Sequence, residues 1–167
     1  MTAIKRYYPP GSARLKPVAL PERGCVYVKN AKAGSSTVLL WLHRIRSGDA
    51  TAAPVNVHTD AAVTRVSDLG WPAMADRLSS DYVFTVVRDP VARFESAVRS
   101  KVLCETNNPA RAQIEQTLGL PAGSPLTVDQ VLAAVESIEP IMLNAHWRPQ
   151  HLALALPLVR YDLIGHL

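Results

Sequence analysis

Lys32 lies in a short polar turn, Asn30-Ala-Lys-Ala-Gly34, followed directly by three hydroxyl residues, Ser35, Ser36 and Thr37. An ammonium, a glycine that lets a ligand approach the backbone and a run of free N–H groups are what a tetrahedral anion needs, above all a phosphate. A second set is Arg88, Arg93 and Ser96. Arg88 presents a fork that suits phosphate oxygens, and Ser96, eight residues on, adds a hydroxyl. Arg93 and Ser96 are three apart, hence neighbours on a helix. His58 falls between the two sets, where an imidazole titrating near neutrality could take a proton from a hydroxyl; an ordinary loop residue is an equal reading. His43 shares a helix with Arg44 and Arg46 and reads as solvated, while His151 and His166 have no evident partner.

Two strand–turn–helix units must position these residues. Cys25 to Lys29 is β-branched and aromatic, Asn30 to Gly34 is a turn, and Ser35 or Ser36 can cap a helix running to about Arg46. Such a helix start aims unpaired N–H groups and the positive end of the helix dipole at one spot. Tyr82 to Val87 is a nearly continuous apolar run, the mark of a buried parallel strand. Asp89 is a good cap and Pro90 a good first helical residue, with Val91, Phe94, Ala97, Val98 and Val102 at helical spacing. Arg88 then stands at the carboxyl end of a strand, the edge of an open α/β sheet where ligands bind.

Around these units the spacing predicts helices at Asp60–Val66, Trp71–Leu78, Pro109–Leu118 and Thr127–Ile138. The last carries Val128, Val131, Leu132 and Val135 on one face. Val55 to Thr59 alternates as a short strand does, and a third long strand is expected at Leu158–Tyr161. Met1 to Arg23, interrupted by prolines, reads as an extended arm, leaving 24–167 as one domain. The fold class expected is α/β, with a central, mainly parallel sheet flanked by helices.

The composition is that of one globular domain, 48% hydrophobic and 19% charged, with a net charge of +4 that suits an anionic ligand. No apolar run would span a membrane and no leader is evident, so the expected location is cytoplasmic. Two cysteines, Cys25 and Cys104, are too few for a disulfide framework and lack metal spacing. The basic residues do not interleave with aromatics as a single-strand nucleic-acid binder requires. Oligomeric state is not encoded in any motif.

Lys32-Ala-Gly-Ser-Ser-Thr37 after a hydrophobic strand resembles the 5′-phosphosulfate loop of sulfotransferases that use 3′-phosphoadenosine 5′-phosphosulfate (PAPS). Arg88-Asp-Pro-Val-Ala-Arg93-Phe-Glu-Ser96-Ala-Val-Arg-Ser-Lys101 resembles their 3′-phosphate segment, R-D-P-x-x-R-x-x-S-A-x-x-x-K, and His146-Trp147 with Tyr161-Asp162-Leu-Ile-Gly165 is similar to the H-W … Y-D-x-I-G segment of the chondroitin, dermatan and HNK-1 type carbohydrate sulfotransferases. The cysteine pair usual in those relatives is replaced by Leu154 and Pro157. The resemblance implies a P-loop-like three-layer sandwich and transfer of a sulfuryl group to a hydroxyl acceptor, a glycan or small glycoside, with no metal, nucleic acid or membrane segment. By the same resemblance Lys32 stabilises the leaving oxygen, Ala33, Gly34, Ser35, Ser36 and Thr37 hold the 5′-phosphate, Arg88 and Ser96 bind the 3′-phosphate with Arg93 as a further candidate, and His58 is the base. His146 and Trp147 fit a structural role better. The family's fold usually continues beyond its Y-D-x-I-G segment, which leaves open a domain cut short at its C-terminus.

Two other classes compete. A P-loop-type kinase would need G-x-x-x-x-G-K-[ST], which the turn does not match, because Lys32 precedes the glycine and the first glycine is missing. A sulfotransferase-like nucleotide-binding protein without activity would keep the phosphate motifs and lose turnover.

Overall fold

A computed structural model describes residues 15–105 and 107–167; residues 1–14 of the expected arm lie outside them. The rest of that arm belongs to the fold. Pro17–Leu20 forms β1 with every residue buried, and a 3-10 turn at Pro21–Arg23 ending in left-handed Gly24 (φ 55°) returns the chain into β2 (Cys25–Val28). Pro17 opens the strand, a position where a missing N–H is tolerated.

Five strands form one mixed sheet in the order β3-β1-β2-β4-β5, with β3 at Thr64–Arg65, β4 at Tyr82–Val87 and β5 at Leu163–His166. The pairings β2–β4 and β4–β5 are parallel, whereas β1 pairs antiparallel with both β2 and β3. A mainly parallel sheet is therefore not what forms. The apolar run Val18-Ala-Leu20 hairpins onto β2, and Pro17 and Pro21 bound that strand.

Side chains alternate across the sheet and divide its core. Val18, Leu20, Tyr27, Phe84 and Val86 meet Val38, Leu39 and Leu42 of α1 (Ser35–Ser47). Ala19, Val26, Val28 and Val83 meet Met74 of α2 (Val66–Ser80) together with Leu154 and Val159. Helices thus cover both faces. α2 bends at Gly70 (φ 76°, ψ 163°), just before Pro72. The helix expected at Asp60–Val66 does not form, and the alternating Val55–Thr59 is a series of turns. Local side chains compete for the backbone there: Asp60 Oδ2 accepts from Asn56 N–H at 2.8 Å, and Asn56 Oδ1 from His58 N–H at 2.9 Å.

α3 (Pro90–Val98) begins as expected, with Asp89 accepting from Ala92 N–H, and runs on through a π-helical turn at Arg99–Cys104. α4 (Pro109–Thr117) is capped by Asn108, and α5 (Val128–Ser137) by a reciprocal pair, Thr127 and Gln130. On α5 the buried residues are Val131 and Ala134, while Val128 and Leu132 are exposed. These helices close a third apolar cluster around Ile114, Val102 and Trp147, whose indole N–H donates to Ala110 O at 3.1 Å. A short helix, α6 (Gln150–Ala153), follows.

The third long strand is displaced from Leu158–Tyr161 to β5. Tyr161 donates its hydroxyl to Leu154 O (2.7 Å), and Asp162 meets Val83 twice, its carboxylate accepting the N–H and its own N–H donating to the carbonyl, both at 2.8 Å. Tyr161 and Asp162 thus anchor the strand's start, and pairing begins beyond them. Among the described residues no helix is long and apolar enough to cross a membrane.

Candidate functional site

Because β2 and β4 are adjacent and parallel, the turns that follow them open at the same edge of the sheet. Buried Thr85 ties the two strands, donating its hydroxyl to Val28 O at 2.8 Å. Between the turns lies a cleft of about 720 Å³ whose walls include Lys32, Gly34, Ser35, Ser36, His58, Arg88 and Ser96. Residues distant in the chain meet here: an Arg88 guanidinium N–H donates to Lys32 O at 3.5 Å. Ala33 is fully buried and Thr37 exposed, and neither lines the cleft.

The first turn takes its shape from left-handed backbone. Lys32 (φ 64°) and Gly34 (φ 70°) are both left-handed, and Gly34, not a serine, is the residue at the helix start. No side chain caps α1 there, which corrects the expectation for Ser35 or Ser36. The first intrahelical bond runs from Val38 N–H to Gly34 O, so the amides of Ser35, Ser36 and Thr37 have no carbonyl within the helix.

Arg93 does something other than what the resemblance implies. It is 5% exposed and does not line the cleft; its Nε donates to Ala31 O (2.8 Å) and its terminal nitrogens to Arg148 O (3.0 Å) and Ala145 O (2.9 Å). Burial lowers its pKa to about 10, which still leaves it charged at neutral pH. All three nitrogens are spent on carbonyls, so Arg93 braces the Lys32 turn against the 145–148 segment.

Gln150 is a brace that carries no motif. Its Oε1 accepts from Asn30 Nδ2 (2.7 Å) and Arg88 N–H (3.0 Å), and its Nε2 donates to Arg88 O (2.7 Å). Asn30, fully buried, also donates to Val86 O at 3.0 Å. Only its place in the H-W-R-P-Q run beside His146 could have drawn notice in the sequence.

His58 stands at the cleft mouth, with Nε2 3.0 Å from the Ser36 hydroxyl and Nδ1 3.4 Å from Lys29 Nζ. A charged Lys29 donates to Nδ1, which puts the ring proton on Nε2 and directs it at Ser36. Both ring nitrogens are then engaged. His43, read as solvated, accepts from Ala62 N–H at 2.9 Å and holds the loop that bears His58 against α1.

Among the described residues the lining holds Lys16, Lys29, Lys32, Arg88, Lys101 and Arg148 against Glu105 as its one acidic side chain. Four of its groups, Lys29, Lys32, His58 and His146, are pushed toward neutrality, by burial first and by neighbouring cations second. Burial first, then Lys16 and Arg65, lowers Lys29 to about 8. Lys32 is lowered by burial and by Lys101. His58 falls below its usual range through burial and then Lys29. His146, whose Nδ1 is buried without a partner, is lowered to about 4, mainly by burial. An arriving anion would oppose each of these shifts. Among the described residues no cluster of acids, histidines and cysteines could hold a metal, and Cys25 and Cys104 are free thiols.

Compared with family models, curated proteins and solved structures, the chain matches none.

Proposed function

We propose that the chain binds PAPS in this cleft and transfers its sulfuryl group to a hydroxyl, on a glycan or small glycoside. One observation carries the reading: the two strand–turn–helix units, read separately as phosphate loops, open onto one cationic cleft from neighbouring parallel strands. The unit from Cys25 to Ser47 is then a phosphosulfate loop of P-loop-like build. Its uncapped first-turn amides and Lys32 suit the 5′ end of the donor, and Arg88 with Ser96 suits the 3′-phosphate.

PAPS would supply an activated sulfuryl group. The acceptor oxygen forms a bond to sulfur as the bond from sulfur to the bridging 5′-phosphate oxygen breaks. Lys32 would offset the charge growing on that leaving oxygen, as preorganised charges do elsewhere. His58 would take the acceptor's proton through Nδ1 once Lys29 turns from it to the anion. One observation favours a second reading, a nucleotide-binding domain without turnover: both His58 nitrogens are engaged at rest.

Calorimetric titration with adenosine 3′,5′-bisphosphate in EDTA tests the site. Binding that collapses in Arg88→Ala supports it, and no binding by the wild type rejects it. His58→Ala then separates the two readings, because an enzyme loses turnover while keeping nucleotide affinity.

A further inference from the structure

We propose that Glu105 is a built-in competitor for the anion this cleft binds, and that it thereby determines which anions are accepted. The inference rests on reading the cleft as an anion site, not on sulfuryl transfer. The π-helical turn Arg99–Cys104 brings Ser100 and Lys101 into the cleft wall and leaves Glu105 at its end. Such turns interrupt helices frequently at functional sites. The Glu105 carboxylate pairs with Lys101 Nζ and accepts from the Ser100 hydroxyl at 3.2 Å. An ammonium and a hydroxyl are the donors a phosphate or sulfate would use, and an internal carboxylate already occupies both.

The main chain of the turn that carries this carboxylate is held in place. Glu105 N–H donates to Ser100 O at 3.2 Å, and Asn108 Nδ2 donates to Lys101 O (2.9 Å) and Glu105 O (2.7 Å), clipping the turn. The two partners differ in exposure: the Lys101 side chain is 18% exposed and that of Glu105 48%. Lys101 therefore stays with the cleft, while Glu105 is free to swing into water when a stronger anion takes its partner. A phosphate monoester, which carries most of a second negative charge at neutral pH, outcompetes a carboxylate for Lys101; a monoanion does not. The cleft so equipped selects doubly charged ends over singly charged ones.

Isothermal titration in EDTA of the wild type, Glu105→Gln and Glu105→Gln/Lys101→Met with inorganic phosphate, and separately with adenosine 3′,5′-bisphosphate, tests this. Phosphate should bind Glu105→Gln about two- to fivefold more tightly, the range expected for removing a half-exposed ion-pair competitor. The gain should vanish in the double variant. Glu105→Ala, which removes the carboxylate without adding an amide, should show the same gain. Glu105 variants that bind phosphate no better than the wild type, or not at all, overturn the proposal. A phosphate gain without nucleotide binding keeps Glu105 as competitor and rejects the PAPS reading. Nucleotide binding that needs Arg88 but ignores Glu105 does the reverse.

Discussion

Arg93→Ala should unfold the site's frame instead of removing a ligand contact. The guanidinium is buried and spends its three nitrogens on the carbonyls of Ala31, Arg148 and Ala145 at 2.8 to 3.0 Å. A hydrogen bond from a charged donor contributes about 1.5–3 kcal/mol, and truncation leaves three acceptors in a dry region. Water entering the vacated space recovers part of that, so the expected loss is about 3–5 kcal/mol, as for breaking one side of a buried charged contact. In a domain of this size each kcal/mol moves the midpoint by about 2–4 °C, which places the melting drop at roughly 6–20 °C. Arg93→Lys should recover little, because one ammonium cannot span the three carbonyls. Thermal and urea unfolding read the stability, and titration with adenosine 3′,5′-bisphosphate on protein still folded at low temperature reads the site. If Arg93→Ala melts with the wild type yet loses nucleotide affinity as Arg88→Ala does, then Arg93 is a phosphate ligand and the bracing argument fails.

Two pH effects follow from the burial of basic groups around the cleft. His146 falls from its ordinary 6.5 to about 4, mainly by burial, so between those values the unfolded chain binds the proton that the folded chain refuses. Stability is then full above about pH 6.5 and lost as pH falls toward 4, by about 2 kcal/mol at pH 5; urea unfolding at pH 7.5 and 5 should show this, and His146→Gln should flatten the difference. Lys29, lowered to about 8, should regain its usual basicity beside an anion, so ligand binding at pH 8 should take up to about half a proton. Titrations in buffers of different ionisation enthalpy measure that uptake, which should disappear in Lys29→Met; an uptake unchanged in that variant would assign the proton elsewhere.

The elements carrying the phosphate motifs were legible because their signals are local. Tyr82–Val87, the Asp89–Pro90 helix start and the Thr127 cap depend on residue types within a few positions, and each forms where its pattern stands. What escaped depends on partners far along the chain. Pro17–Leu20 is a strand because β2 and β3 lie on either side of it, which no window around its prolines reveals. Asp162 shifts the last strand by reaching Val83, 79 residues away. The candidate site divides the same way: Lys32, Gly34, Arg88 and Ser96, singled out by type and spacing, line one cleft, whereas Arg93 is taken up by carbonyls 52 to 62 residues distant. A side chain with several donors is least predictable, since burial and ligand binding use the same nitrogens.

That division also explains why the braces matter to the cleft. The sheet fixes the spacing of the strands, but a turn beyond a strand end has no ladder to hold it. Two crosslinks supply what the ladder lacks: Gln150 joins Asn30 to the Arg88 backbone, and Arg93 joins Ala31 to the 145–148 segment. Both reach the turn through Asn30 and Ala31, directly ahead of Lys32, whose backbone is left-handed. The segment from Ala145 to Gln150 therefore links both phosphate-type motifs without itself resembling one. The crosslinks hold the Lys32 turn against the Arg88 backbone, which is the preorganisation that the proposed ligand with two anionic ends would need.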